Sequence, residues 1–363
     1  MPPRPRKPKP ELTTAQRLAA IIKRARDIMR VDAGLNGDLD RIPQLAWLLF
    51  LKAFDDLEDS REITDSDFSP VIPKQWRWRT WAGNRKLTGS DLIDFVNGDL
   101  LPGLRNLAGT AATRSQADVV KAIFNGMDNR MRSGAQLRLL VDSLDQIHFN
   151  SSDDIHTMAF LYESMLREMR DAAGDSGEFY TPRPLIRFMV QRSAPKQGEK
   201  VLDPAAGTGG FLVEALTELE PRASSVAKRR ALHKNVQGVE KKPLPYLLGT
   251  MNLLLHGVDE PVLVMENALR YLRDGSTRTQ VDLILTNPPF GGAETKEIIA
   301  TFPKGQQAAE TTWLFLVTIL EKLKPRGRCA VVVPNSVLFD TGVTASGIKK
   351  KLMDTCDLHT ILR

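Results

Sequence analysis

Cysteine is nearly missing from the 363 residues: only Cys329 and Cys356 occur. Neither belongs to a CxxC pair or has a histidine at ligand spacing, so the common zinc patterns are excluded and no metal site is expected. Two reduced, buried thiols of a cytoplasmic protein are the expectation. No apolar run reaches the roughly 18 residues of a membrane span. The opening MPPRPRKPKP is basic and proline-rich with no apolar stretch behind it. It does not read as a secretory signal, and residues 1–12 are expected to form a disordered basic arm. Internal repeats and long low-complexity tracts are also missing.

What remains is a chain of ordinary globular composition, 42% hydrophobic and 26% charged, whose length fits two domains. Its net charge of +6 is compatible with an anionic partner, of which nucleic acid is the common one.

The texture changes along the chain. Residues 13–174 read as a helical domain. Thr13 or Thr14 caps a helix to about Met29, and Ile42 to Leu57 is apolar on most faces, as in a buried helix. Gln136 to Ile147 and Asp153 to Arg170 are amphipathic. Between Leu57 and Gln136, Trp76, Trp78 and Trp81 are interleaved with Arg77 and Arg79. Such a patch can stack on bases, but packing is the favoured reading. Residues 175–363 read as a second domain, in which short apolar runs alternate with helices. Strands are expected within 201–206, 236–240, 262–269, 281–290 and 327–339, with a sixth beginning at Leu358 to Arg363. Helices are expected at 210–219, 244–255, 312–323 and 347–353. Repeated βα units imply a parallel, doubly wound α/β sheet.

In such sheets ligands bind at the carboxyl ends of the strands. The first strand runs into Asp203-Pro204-Ala205-Ala206-Gly207-Thr208-Gly209-Gly210. This turn lacks the GK[ST] of a phosphate loop and the GxGxxG of a dinucleotide fold. It pairs glycines, which admit close approach, with an acid at the strand end. That suits a ligand carrying an ammonium or sulfonium and no phosphate, and S-adenosylmethionine fits. Glu240, ending the second strand, is placed to bind ribose hydroxyls. Glu266 and Asn267, ending the third, are candidates for the cofactor's adenine edge or for a simple turn. The fourth strand ends in Asn287-Pro288-Pro289-Phe290, where two prolines must stop the ladder. The turn offers the Asn287 amide and the Thr286 and Pro288 carbonyls as acceptors for an –NH2 group. Holding the hydrogens of a ring-conjugated amine favours a tetrahedral nitrogen and frees its lone pair, so no strong base is needed. Phe290 can stack on the ring, and a base treated this way must first leave the duplex. Just before the sheet, Gly177 to Arg183 reads from physics alone as a linker, with Pro182 and Pro184 ending a helix.

GEFYTPRPL (177–185), DPAAGTGGFL (203–212) and NPPFGG (287–292), in that order, resemble the amino-methyltransferases of DNA. With the helical N-terminal region, they resemble the methylation (M) subunit of type I restriction-modification systems. The resemblance implies a class I S-adenosylmethionine-dependent methyltransferase fold, a Rossmann-like doubly wound sheet behind an all-helical domain, acting on N6 of adenine. It implies that Glu178, Phe179, Tyr180, Thr181, Pro182 and Arg183 join Thr208, Gly209, Gly210 and Glu240 around the methyl donor. It implies catalysis by the Asn287 to Phe290 turn. The implied partners are DNA with a flipped adenine, a specificity (S) subunit that reads the sequence, a restriction (R) subunit and a second M subunit. Relative to that family the chain reads as C-terminally shortened, since a seventh, antiparallel strand and a helical region are expected beyond it. Methylation of a protein glutamine or of RNA is one alternative, because those enzymes share an NPP-aromatic turn. A non-catalytic assembly module is another.

Overall fold

The computed structural model describes residues 13–109, 114–149, 159, 162, 181–274 and 279–363. The basic arm at 1–12 and nearly all of the helix expected at Asp153 to Arg170 lie outside these. The chain divides into two compact units, Met1–Ala172 and Ala173–Arg363. Among the described residues no helix is long and apolar enough to cross a membrane.

The first unit is helical. α1 (Thr14–Arg30) starts in a capping box: Thr13 Oγ1 accepts the Gln16 N–H while the Gln16 side chain accepts the Thr13 N–H. Its buried residues Leu18, Ile21, Ile22, Ala25, Ile28 and Met29 recur at helical spacing and form one stripe. α2 (Asp38–Thr64) contains the apolar run Leu45 to Leu51 as its buried middle and extends in both directions beyond the expected 42–57. The extensions are polar turns, which carry no hydrophobic period to announce them. α3 (Gly89–Phe95) continues through a π-helical turn, Val96–Leu100, into α4 (Leu101–Arg105). α5 (Arg114–Asn125) and α6 (Gly134–Leu144) follow among the described residues, with α6 packed on α1, α2 and α3. Trp78 and Trp81 are buried in an edge-to-face pair with ring centroids 5.1 Å apart, and Trp78 Nε1 donates to Asp145 at 2.7 Å. Those two rings are core, as packing requires.

In the second unit all five strands are parallel, in the order β3-β2-β1-β4-β5. They are β1 (Val201–Asp203), β2 (Val236–Glu240), β3 (Val262–Met265), β4 (Val281–Thr286) and β5 (Leu323–Val331). α7 (Arg183–Ser193), α8 (Gly210–Leu219), α9 (Val226–Asn235) and α10 (Pro243–Leu255) flank the sheet, with α8 on β1 and β2 and α10 on β3. α11 (Ala268–Tyr271), α12 (Thr311–Lys322) and α13 (Val343–Thr355) belong to a further core with Leu202, Val239 and Ile284 of the sheet. Strand order reverses between β1 and β4, whose register pairs Leu202 with Ile284. A crevice for ligand therefore opens beyond Asp203 and Thr286.

Two expectations need correction. Leu358 to Arg363 form no strand; Leu358, Ile361 and Leu362 are exposed. Strand-like composition needs a pairing partner, and none of the ladders reaches this segment. Cys329 is exposed and Cys356 half-buried, so the thiols are not core residues. β5 is an edge strand with exposed positions, which accounts for Cys329. The helix that Pro182 and Pro184 were expected to end lies outside the described residues, while Pro184 itself stands in the first turn of α7. There its missing N–H leaves no partner unsatisfied and its fixed φ suits the helix, so this proline helps to start a helix.

Candidate active site

The glycine turn begins where β1 ends. Pro204 has no N–H to continue the ladder, and Ala206 donates instead to the Val239 carbonyl at 3.0 Å. Gly207 and Gly209 have φ of 53° and 75°, the left-handed region open to glycine at little cost. The turn closes when Gly209 N–H donates to Ala206 O at 2.8 Å, and α8 starts at Gly210. Glu240 braces it from β2. Its Oε2 accepts the Gly207 N–H and its Oε1 the Lys242 N–H, both at 2.8 Å.

Asp203 sits at the strand end, 1% exposed. Its Oδ1 accepts the Ala205 N–H at 3.1 Å. Its Oδ2 is buried with no hydrogen bond, although the Thr286 side chain is near enough to favour the ionised form. Burial pushes this carboxyl up to about 7, against the pull of Thr286 and the Ala205 amide. Burial also raises Glu240, where the backbone N–H groups pull the other way. Arg183, at the start of α7, donates from Nη1 to Gly210 O at 3.0 Å. Burial lowers its guanidinium to about 10, with Glu214 opposing the fall.

Asn287 follows β4 directly. Its Nδ2 donates to Thr181 Oγ1 at 3.1 Å, and its Oδ1 is buried without a partner. The Thr286 carbonyl, expected as an acceptor at the site, instead takes the Val332 N–H at 3.0 Å. Pro288 is buried, Pro289 half-buried and Phe290 44% exposed.

These residues meet in one cleft of about 350 Å³. Of the expected residues, Thr181, Arg183, Asp203, Ala205, Gly207, Thr208, Gly210 and Asn287 line it. Pro182, Gly209, Glu240, Asn267, Pro288, Pro289 and Phe290 do not form its wall. Gly209 and Glu240 act one layer behind. Asn267 caps α11, its Oδ1 accepting the Leu269 N–H and its Nδ2 donating to Glu294. Glu266 pairs with Arg270 at 2.8 Å. Glu178, Phe179 and Tyr180 lie outside the described residues. Ile186, Ala206 and Phe211 also line the wall and were given no role from sequence, although the last two lie in the glycine-turn segment; an apolar residue in the first turn of a helix carries no signal separating wall from core.

A parallel sheet whose strand order reverses beside a glycine turn, with Asp203 and Asn287 both lining the cleft there, is the class I S-adenosylmethionine-dependent methyltransferase fold. Residues 18–144 match the family described as the HsdM N-terminal domain, and 153–363 the N-6 DNA methylase family. The chain belongs to this N-6 DNA methylase family, among the methylase subunits of type I restriction enzymes. It is 44% identical to the EcoEI methylase subunit of Escherichia coli over 348 residues, 95% of this chain and 71% of that one. It is 31% identical to the EcoKI methylase subunit of Escherichia coli K12 over 89% of this chain and 59% of that one. Among solved structures, a modification subunit assigned to a type I restriction enzyme of Vibrio vulnificus YJ016 superposes with a TM-score of 0.80 at 49% identity, covering 95% of this chain and 76% of that one. A chain from a structure concerned with complex assembly of the type I R-M system gives 0.81 at 38%, covering 94% and 69%.

Proposed function

We propose that the cleft binds S-adenosylmethionine and that the chain methylates N6 of adenine in DNA, with sequence specificity supplied by a separate S subunit. One observation carries this reading: an acid, an arginine and an unpartnered asparagine oxygen converge on a single glycine-walled cleft at the sheet's reversal point.

The chemistry of the walls fits the cofactor. The free Oδ2 of Asp203 suits the methionyl ammonium, and the Arg183 guanidinium suits its carboxylate, so the pair selects a zwitterion. The glycine turn offers close backbone approach without side chains. When bound, the cofactor supplies an electrophilic methyl on sulfur. Asn287 acts on the other reactant. Its Oδ1 accepts a hydrogen from the N6 amine of a base turned out of the duplex, and Thr181 holds its Nδ2 so that the oxygen faces the cleft. This contact favours pyramidal nitrogen and localises the lone pair. Asn287 would so hold N6 ready for the methyl that the bound cofactor would supply, and because an amide is not a base the extra proton on N6 would pass to water. Phe290 is exposed at the far end of the turn, free to lie against the flipped ring. EcoEI and EcoKI relatives are methylase subunits of type I enzymes, which supports partnership with S and R subunits and a second copy of this chain.

The test is transfer of labelled methyl to duplex DNA with a cognate S subunit present. Label in DNA is the expected result. Label confined to protein or RNA, or cofactor binding without any turnover, would overturn the assignment.

A further inference from the structure

α10 is a poor place for an amide. From Tyr246 to Leu255 every residue is buried, and apart from Gly249, Thr250 and Asn252 the chemistry of the run is apolar or aromatic. Asn252 is 0% exposed. An amide in such surroundings costs free energy unless it is hydrogen-bonded. Thr250 resolves the problem locally, its hydroxyl donating to Tyr246 O. Asn252 does not: its Nδ2 reaches across to the Thr208 carbonyl of the glycine turn at 2.9 Å, and its Oδ1 is left with no partner. A half-satisfied buried amide contributes little as a core residue, so what it holds is the informative part.

It holds the peptide between Thr208 and Gly209. Glycine populates positive and negative φ about equally, so this peptide has a low-cost alternative in which its plane is turned over. Turned over, the Thr208 carbonyl would leave α10 and the wall of the cleft would change. Two bonds oppose that. Gly209 N–H donates to Ala206 O, and Thr208 C=O accepts from Asn252. One helical turn earlier, Gly249 lets α10 come close enough for the second bond: a Cβ there would lie 2.9 Å from Gly207 O and 3.4 Å from Gly209 N. Glu240 pins the Ala206–Gly207 peptide, two places earlier, by its Gly207 N–H. The two peptides that lead into the positive-φ glycines, Ala206–Gly207 and Thr208–Gly209, are thus each held by one buried polar side chain, from different elements.

We propose that Asn252 is a positioning residue for the cofactor cradle, selecting the one orientation of the Thr208–Gly209 peptide that shapes the cleft. This rests on the reading of the cleft as a cofactor site, but its first readout does not. The experiment compares wild type with Asn252→Leu, which keeps the volume and removes the donor, in the full chain. Hydrogen exchange of the peptide covering residues 203–212 is followed, together with S-adenosylhomocysteine binding by calorimetry and the melting temperature. Expected are faster exchange confined to 203–212 and binding weaker by about ten- to a hundredfold, the scale of a lost buried hydrogen bond with its acceptor stranded. If Asn252→Leu does not fold, Asn252→Ala gives the same two readouts without overpacking. Unchanged exchange and unchanged affinity in a folded variant overturn the proposal, as does a loss of affinity that merely tracks global unfolding. Local loosening of 203–212, with wild type itself failing to bind S-adenosylhomocysteine, would uphold the positioning role and sink the cofactor assignment instead.

Discussion

Binding of a cationic ligand across pH reads Asp203 directly. Its carboxyl titrates at about 7 because it is buried at the end of β1 with one oxygen unpartnered. An ammonium binds the ionised form. With that value, roughly three-quarters of the chains are competent at pH 7.5 and about 3% at pH 5.5, and apparent affinity scales with the competent fraction. S-adenosylhomocysteine is the suitable probe, since the α-amine of a free amino acid stays protonated throughout this pH range and the molecule has no methyl to transfer. Calorimetry from pH 5.5 to 7.5 should show the Kd falling roughly 25-fold, with a limiting slope near one decade per pH unit. Asp203→Asn should bind more than about tenfold more weakly at pH 7.5 and show no slope, because a buried charge loses its partner. Stability has the opposite sign in the ligand-free protein. The folded-state value lies above the ordinary 3.8, so this group's contribution is fully present below about 3.8 and is lost as pH climbs through about 7. The thermal shift produced by ligand should therefore grow over the same interval. A flat Kd in wild type, or the same slope in Asp203→Asn, would refute the reasoning.

Asn287→Ala should abolish methyl transfer while cofactor affinity stays within a few-fold, because the proposed role of its amide is to hold the target amine and not the cofactor; unchanged turnover in a single-turnover assay refutes that role. Gly209→Val should block cofactor binding by calorimetry. Its φ of 75° is strained for a branched side chain, and a Cβ there sits 3.3 Å from Gly249 O; wild-type binding would move the pocket elsewhere. In the helical unit, Glu58 is 4% exposed, burial pushes it up to about 7, and its Oε1 accepts the Val71 N–H at 2.5 Å. Its contribution is present below the ordinary 4.5 and lost as pH rises through about 7, so Glu58→Gln, which keeps an acceptor, should raise the melting temperature by a few degrees at pH 8 and leave it unchanged at pH 4.5. A lower melting temperature at pH 8 counts against this.

The strand-turn-helix plan of the second unit was legible because each signal there is local. A hydrophobic strand ending in proline announces its own stop, as at Asp203-Pro204 and Asn287-Pro288. α8 was placed at its observed bounds, since a glycine turn marks its start. What escaped the sequence depends on partners far along the chain. α9 has a single buried residue, Leu232, and so no apolar period to find. α7 was hidden behind two prolines that read as breakers. Leu358 to Arg363 look like a strand by composition and form none, because pairing is settled by a neighbour and not by the segment. The same limit applies within the site. Asn287, Asp203 and the glycines are read from short motifs, whereas Asn252 shows in sequence only as an amide in MNLLL, and its acceptor at Thr208 lies 44 residues away.

Glu240 illustrates how one residue type can satisfy two readings. An acid ending β2 suggests a ribose ligand, and the structure engages both its oxygens with backbone N–H groups of Gly207 and Lys242. Each carboxylate oxygen has a second lone pair, so bracing the turn does not exhaust its capacity. The contrast with Asp203 is physical. At Glu240 two N–H donors offset the cost of burial, whereas Asp203 has one donor and a bare oxygen facing the cleft. Only the second arrangement leaves a buried carboxyl that either stays protonated or, when ionised, gains from a partner outside the chain. The preference for a cation that we propose for this site therefore rests on Asp203, and the proposed shape of the turn that receives it rests on Glu240 and Asn252.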